Sequence, residues 1–307
     1  MKLVRESFSF DRDLDMVRKV LLDIYKQTGS LHYLIPTKIE NQKFGPCGPN
    51  YSPKDDEAIQ IWRTSGKDES HIIAITHRGS SANYHIEVHP DYKHMEKDLF
   101  QEVEKLEKNI SCEVQSRMYL YTVGPDSMRI DVLTEMGYVD HGLHEYNYWF
   151  PQDTSIPDNP LQDGYIIRSL RNEQEYAKFV EVIGSVYDHC RQHMTVEKMQ
   201  FMTTAEFYHQ DLNLIVADDT GRLVGFCMYR LDPLTRIAEM EALGVHPDFR
   251  NLRLEKALLS EGLRRVVKHR PSLICAVEID VSDPLNQMLE SAGFVQSVTM
   301  NLWGKMV

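Results

Sequence analysis

The 307-residue sequence lacks the features that mark several common classes of protein. It has no run of 18 apolar residues, so no membrane-spanning helix is predicted. Its five cysteines are odd in number and far apart, which argues against a disulfide framework and favours a reducing cytoplasm. The first residues, Met1–Glu6, pass directly into a charged segment, and we predict no signal peptide.

Several site motifs are missing as well. The sequence contains no G-x-G-x-x-G, no G-x-x-x-x-G-K-[ST] and no G-x-S-x-G, so dinucleotide, P-loop and serine-hydrolase sites have no support. Cys190 and His193, with His189, resemble part of a metal site, but no second ligand pair follows and no metal is predicted. The net charge of -12 disfavours nucleic acid and anionic membranes as partners and suits a cationic amine.

What the sequence does contain is one pattern that occurs twice. H-P-D-Y-K begins at His89 and H-P-D-F-R begins at His246, and each is followed by Glu-Lys and a helical pattern. The copies end with similar segments, E-M-G-Y-V from Glu135 and S-A-G-F-V from Ser291. Because the spacing between matching motifs is nearly constant, we predict a duplicated domain rather than the alternative of two unrelated α/β domains.

Two stretches rich in proline interrupt the pattern. Residues 151–164 form a predicted linker between an N-terminal domain, 1–150, and a C-terminal domain, 165–307. Residues 33–56 form a second irregular stretch. We interpret it as a lid or as the contact of a homodimer, or, as the favoured alternative, as a mobile surface insertion.

The most informative stretch, Ile237–Val267, has the pattern of a strand, a short turn and a long helix. The strand, Ile237–Val245, ends at Pro247, which cannot donate to a sheet, and apolar residues then recur at helical spacing. The first amides of a helix have no internal partners and carry the positive end of its dipole. The turn Arg250–Lys256 can therefore hold an anion such as a pyrophosphate.

This stretch resembles the acyl-CoA-binding core of the GNAT superfamily of N-acetyltransferases, whose pattern is roughly V-x-P-x-[YF]-[RQ]-x-x-G-x-[GA] before a helix rich in Ala and Leu. The residues that match are Val245, Pro247, Phe249, Arg250, Ala257 and Leu258. The resemblance implies an α/β (α+β) fold of two tandem GNAT-like domains. Each would have a mixed central sheet with splayed fourth and fifth strands, flanked by helices. It also implies acetyl-CoA as the co-substrate.

The resemblance assigns candidate site residues in the C-terminal domain. Glu239 aligns with the family's usual glutamate, and Glu241 lies two residues along on the same strand face. Pairing would raise the pKa of one carboxylate, which suits a general base, unless both carboxylates face solvent. Backbone groups of Leu243 and Val245 would meet the pantetheine arm. The other candidate cofactor-binding residues are Arg250, Asn251, Leu252, Arg253, Leu254, Glu255, Lys256 and Asn286.

The turn departs from the family pattern at its glycines. Arg253 and Glu255 stand where the family has glycine, which normally lets the backbone approach phosphates closely. The cradle survives this change if every φ angle is negative. The family's tyrosine acid is replaced by Leu289, for which Tyr229 is the candidate substitute. The family's asparagine is replaced by Ser282.

The N-terminal copy departs further. Its turn is two residues shorter from His89 to Glu96 than the equivalent turn of the second copy, and Asp98 stands in place of Ala257. We therefore interpret the first domain as non-catalytic. Two hypotheses remain for the chain. One is an acyl-CoA-dependent N-acetyltransferase acting on the amine of a small molecule or peptide, and the other is a diverged, non-catalytic acyl-CoA-binding or scaffold protein.

Overall fold

A computed structural model describes residues 2–29, 34–45, 52, 55–65, 71–79, 82–111 and 117–307. The chain forms two compact units. The first comprises the described parts of Met1–Ile35, Ser52–Asn147 and Ser297–Val307, and the second those of Pro36–Tyr51 and Tyr148–Gln296. Within these described ranges, no helix has the length and apolar character needed to cross a bilayer.

The first unit combines a mixed sheet with helices, in the strand order β1-β2-β3-β4-β5-β12-β6. Its strands are β1 (Leu3–Ser7), β2 (Ile59–Thr64), β3 (Ile72–Arg78), β4 (Asn83–Val88), β5 (Arg117–Val123), β6 (Val139–Trp149) and β12 (Val295–Met306). Its helices are α1 (Phe10–Thr28), α3 (Glu96–Ser111) and α4 (Ser127–Glu135). The parallel pair β4 and β5 is held together only at Asn83–Tyr84, so these two strands part beyond it.

The second unit has the strand order β11-β10-β9-β8-β7. The strands are β7 (Tyr165–Ser169), β8 (Asn213–Asp218), β9 (Leu223–Leu231), β10 (Ile237–Val245) and β11 (Leu273–Asp280). The helices are α2 (Pro36–Phe44), α5 (Glu173–Val186), α6 (Asp188–His193), α7 (Val196–Met202), α8 (Leu254–Val266) and α9 (Leu285–Ser291). The predicted fourth strand coincides with β10, which pairs antiparallel with β9 and parallel with β11.

Strand β9 is buried along its whole length, because α5 and α8 both pack against it. Such two-sided burial explains why its sequence is an almost continuous apolar run. Helix α8 approaches closely at Gly262, where a Cβ atom would lie 2.7 Å from the ring of Tyr229. The helix therefore needs a residue without a side chain at this position.

Helix α2 differs from the sequence-based interpretation of residues 33–56. Pro36 stands at its first position, where a missing amide hydrogen costs nothing. Thr37, Ile39 and Glu40 are fully buried, so this part of the stretch is packed into the second unit and is not a mobile surface insertion. Residues 33, 46–51 and 53–54 of the same stretch lie outside the described residues.

The last strand also differs from its predicted place. The predicted C-terminal domain, 165–307, includes this segment, but β12 pairs antiparallel with β5 of the first unit, from Met300 opposite Val123 onward. Met300 is fully buried there, and the indole N–H of Trp303 donates to Thr122 Oγ1 at 3.2 Å. Burial of these two side chains explains why residues 297–307 belong to the first unit.

Replacing Trp303 by alanine should therefore destabilise the first unit by about 3 kcal/mol, because a buried indole is lost and a cavity remains. Denaturant unfolding measures this change. Met306→Ala is the matched control, since Met306 lies on the same strand but is 46% exposed. It should change stability by no more than about 0.5 kcal/mol. Equal effects of the two substitutions would contradict the placement of β12.

Candidate functional site

Strands β10 and β11 part in the middle of the second unit. Their last paired residues are Glu239 and Cys275, although β10 continues to Val245 and β11 to Asp280. Beyond Glu239 the edge of β10 that faces β11 has lost its strand partner. This opening, which we call the β10–β11 gap, leaves backbone groups that an extended ligand can bind as an added strand would.

The register of β9 and β10 shows which backbone groups face the gap. The amide of His246 donates to Val224 O, so this is a hydrogen-bonded pair of the antiparallel ladder. Such pairs alternate with pairs that point their N–H and C=O groups away from the partner strand. Leu243 and Val245 belong to the second kind, and their backbone groups face the gap. The carbonyl of Leu243 accepts a hydrogen bond of 3.0 Å from the hydroxyl of Tyr187.

Both candidate carboxylates lie where the two strands part. Glu239 and Glu241 approach the same ammonium, that of Lys38, and a bulge lies between Met240 and Ala242. The side chain of Glu239 is only 1% exposed, whereas that of Glu241 is 18% exposed. The alternative that both carboxylates face solvent therefore does not describe Glu239.

Helix α2 supplies the groups that contact these carboxylates. Thr37 Oγ1 donates a hydrogen bond of 2.5 Å to Glu239 Oε2. Lys38 Nζ lies 3.3 Å from Glu239 Oε1, 3.7 Å from Glu241 Oε2 and 3.1 Å from a third carboxylate, Glu278 Oε2 on β11. One ammonium thus bridges β10 and β11 beyond the point where their backbone pairing ends.

Burial and charge set the protonation of this cluster. Burial, with a smaller contribution from the charge of Glu241, raises the pKa of Glu239 to about 7, against the opposing effects of Lys38 and Arg230. Burial acts on Glu241 in the same direction, but Arg230 and Lys38 outweigh it and lower the pKa of Glu241. Burial would also lower the pKa of Lys38, yet the three carboxylates hold it well above its usual value. The pair therefore divides into one carboxyl that titrates near neutrality and one that stays ionised.

A cavity of about 290 Å³ adjoins the cluster within the second unit. Its polar lining includes Asn41 of α2, Tyr187, Arg230 and Glu241. Its larger apolar lining consists of Ile183, Cys190, Met194, Met202, Met228 and Ala242. No local pattern indicates that α2 contributes to this site, because Thr37 and Lys38 are about 200 residues from the glutamates they contact.

The predicted anion-binding turn is present but has an unexpected backbone conformation. Residues Pro247–Leu252 form a 3-10 turn, and α8 begins at Leu254. Between them Arg253 adopts φ 57° and ψ 25°, the left-handed conformation that glycine favours. The condition stated for a cradle without glycine, a negative φ at every residue, is therefore not met at Arg253, whereas Glu255 is helical.

Charged side chains surround this turn. Arg250, Arg253 and Lys256 are exposed together with Asn251, while Leu252 is half-buried and Leu254 is buried. The carboxyl of Glu255 is partly buried, which raises its pKa, and it accepts a hydrogen bond from its own backbone amide. That amide is one of those that the sequence assigned to a phosphate.

The corresponding turn of the first unit is built differently. Both turns begin alike, with the Nδ1 atom of His89 or of His246 accepting a backbone amide two residues later. In the first unit the 3-10 turn Pro90–Met95 then runs into α3 with no left-handed residue. Glu96, at the start of α3, is buried and forms an ion pair of 2.5 Å with Arg129.

Asn286 and Tyr229, which the sequence suggested as site residues, make other contacts in the structure. The amide of Asn286 donates to Asp280 O at 2.8 Å and Asp283 O at 2.9 Å, and its Oδ1 accepts from Tyr148 at 3.0 Å. These bonds shape the turn after β11, which differs from the cofactor contact we expected. Tyr229 lies on the face of β9 that α8 covers, opposite to Glu239, and is therefore not placed to replace the missing acid.

Comparison with known proteins adds to this geometry. Residues 179–294 match the Acetyltransferase (GNAT) family model. A mycothiol acetyltransferase from Sanguibacter keddieii is 30% identical over 118 residues, which are 36% of this chain and 38% of that protein. The chain thus matches well under two thirds of that relative's length.

Among solved structures, a GCN5-related N-acetyltransferase from Sphaerobacter thermophilus is similar with a TM-score of 0.69 at 14% identity, over 99% of this chain and 95% of that chain. A tandem GNAT protein from the clavulanic acid biosynthesis pathway gives a TM-score of 0.67 at 14% identity, over 99% of this chain and 98% of that chain. Likeness at this identity concerns the fold. It confirms the predicted pair of tandem GNAT-like domains.

The bridging role of Lys38 predicts a stability change that depends on pH. Lys38→Met should lower the free energy of unfolding by about 3 kcal/mol at pH 8, because buried carboxylates lose their cation. The loss should be smaller at pH 6, where Glu239 is protonated in the folded state. Denaturant unfolding at both pH values tests this, with the exposed Lys268→Met as control. A loss independent of pH would contradict the proposed charge bridge.

The left-handed conformation of Arg253 predicts that one substitution at this position stabilises the protein. Arg253→Gly should raise the free energy of unfolding by about 0.5–1 kcal/mol, because glycine adopts this φ without steric cost. Thermal unfolding provides the measurement. Arg250→Gly is the matched control, since Arg250 is an exposed arginine of the same turn with no positive φ, and this change should destabilise the protein. If Arg253→Gly also destabilises, the assigned backbone conformation is incorrect.

Proposed function

We propose, because residues 179–294 match the Acetyltransferase (GNAT) family model, that the second unit of this GNAT-type protein transfers an acetyl group from acetyl-CoA to an amine. The acceptor is a small molecule or a peptide. The observation that carries this proposal is Glu239, a buried carboxyl with a pKa of about 7 at the start of the β10–β11 gap. A base of this pKa can remove a proton from an ammonium near neutral pH.

The gap and the turn after β10 offer a binding path for the co-substrate. The outward-facing backbone groups of Leu243 and Val245 suit the amides of a pantetheine arm. The helix front at Arg250–Lys256, with its exposed arginines and lysine, suits the diphosphate. Backbone amides in the gap are also the donors that would stabilise the oxyanion of the attacked thioester.

The reaction then needs one base and, at its end, one proton donor. Glu239 accepts a proton from the acceptor ammonium, directly or through water. The freed amine attacks the thioester carbonyl carbon and a C–N bond forms. As the tetrahedral intermediate collapses, the C–S bond breaks and the nitrogen gives up its second proton to water or to the leaving thiolate. The thiolate that leaves is protonated by water or by Tyr187, whose hydroxyl contacts Leu243 O at the edge of the gap. Tyr187 thus takes the place that we considered for Tyr229.

The two units differ in their suitability for this chemistry. The parallel strands part in both units, and the second adds the left-handed turn and the carboxylate pair. The first has a buried carboxylate, Glu96, in an ion pair at the start of the equivalent helix, a poor setting for a phosphate. We therefore propose that acetyl transfer belongs to the second unit and that the first is non-catalytic.

Glu239→Gln tests the proposal. Isothermal titration calorimetry should give an acetyl-CoA affinity within about threefold of wild type, while CoA release with an amine acceptor falls by about 10²- to 10⁴-fold. In wild type, kcat/KM should fall as the pH drops below about 7, because Glu239 then becomes protonated. The variant should lose this acidic limb.

The exposed Glu197→Gln is the control and should behave as wild type. Binding of acetyl-CoA without CoA release for any amine would instead support the non-catalytic alternative. Absence of both binding and release would leave only a scaffold.

A further inference from the structure

The cavity beside Glu241 indicates what kind of acceptor the second unit takes. We infer that the acceptor is a free amino acid with an apolar side chain, bound with its carboxylate on Arg230 and its amine toward Glu239 and Glu241. This inference rests on the proposed acetyl transfer and adds the substrate class to it. Three features of the cavity support it, namely an incompletely bonded arginine, an apolar lining and a small volume.

Arg230 is the first feature. It is 5% exposed, faces the cavity from β9 and stands opposite Glu239 in the strand register. Its guanidinium lies 4.9 Å from the ring centre of Phe207, and Nη1 is 3.3 Å from Glu241 Oε1. Among the residues that the structure describes, neither Nε nor Nη1 has a hydrogen-bond partner.

A buried guanidinium with unpartnered N–H groups is costly, and a ligand carboxylate would supply an acceptor for one of them. The ammonium of Lys38 is already shared among three glutamates. Arg230 is therefore the cation of the cavity lining with donor capacity to offer a ligand. An anionic group close to the reacting amine is the ligand feature that would use it.

The apolar lining is the second feature. Met194, Met202, Met228, Ile183 and Ala242 line the cavity. Methionine side chains adapt to apolar groups of different shape. An amino sugar would place several hydroxyl groups against this lining without partners, which is unfavourable. Leucine, methionine and phenylalanine side chains fit it.

Cavity size is the third feature. A volume of about 290 Å³ is at the lower end of the range for small-molecule sites. It accommodates one amino acid more readily than a peptide. The distance between the amine and the carboxylate of an α-amino acid also matches the adjacency of Glu241 and Arg230, which are 3.3 Å apart.

The test compares acceptors that differ by one group. CoA release at saturating acetyl-CoA is measured with L-leucine, L-methionine and L-phenylalanine. L-leucinamide lacks the carboxylate, L-aspartate lacks the apolar side chain, and glucosamine lacks both. Leucine should exceed leucinamide in kcat/KM by about 10- to 100-fold, the range expected for hydrogen bonds to a charged group. Aspartate and glucosamine should be poorer still.

Two variants connect this preference to the cavity. Arg230→Met should reduce the ratio of leucine to leucinamide to within about threefold, while acetyl-CoA affinity, measured by calorimetry, reports whether the site is still folded. Ala242→Val should lower kcat/KM for phenylalanine at least about 10-fold more than for alanine, since it reduces the volume.

The outcomes separate this inference from the proposed function. If leucinamide or glucosamine is acetylated as well as leucine, acetyl transfer stands and the amino-acid assignment is overturned. If Arg230→Met binds acetyl-CoA normally yet retains the full preference for leucine, the role of Arg230 is overturned. If none of the apolar amino acids releases CoA although acetyl-CoA binds, the amino-acid assignment is overturned, and the proposed function fails only if peptide amines release none either.

Discussion

The second unit depends on the contacts that hold the parallel strands β10 and β11 together where they no longer share backbone hydrogen bonds. Beyond Glu239 and Cys275, β10 and β11 share no backbone pairing. Lys38 replaces the missing hydrogen bonds with ionic contacts to two glutamates of β10 and one of β11. Burial raises the pKa of Glu239, and the ammonium of Lys38 limits that rise. One ammonium therefore both joins the two strands and moderates the pKa of Glu239.

Much of this arrangement was predictable from local sequence, and the reasons are physical. The extended, mostly apolar pattern and the position of Pro247 predicted the bounds of β10. The spacing of Glu239 and Glu241 predicted a pair of carboxylates in which the pKa of one is raised. The strand register also directs the backbone groups of Leu243 and Val245 into the β10–β11 gap, as the predicted contact with a pantetheine arm requires. Each of these features depends on residues within a few positions of one another. The roles of these residues in acetyl transfer stay predictions.

The remaining features depend on contacts between distant segments. Helix α2 comes from a stretch rich in proline that has little apolar periodicity, and only its burial shows that it completes the site. Strand β12 has the pattern of any half-buried strand, so the pattern alone could not identify β5 as its partner. The positive φ of Arg253 could not be predicted from the sequence, because arginine rarely adopts a positive φ. A glycine at this position would have indicated it.

The exchange of segments between the units has a consequence for how the protein is made. The second unit includes α2, which is synthesised before most of the first unit, and the first unit includes β12, which is synthesised after the second unit. Domains usually fold one after another as they leave the ribosome. Here the sheet of the first unit stays incomplete until β12 has been made, and α2 is made long before its partners in the second unit. A break of the chain between residues 150 and 165 would therefore leave each half without a segment that its unit contains.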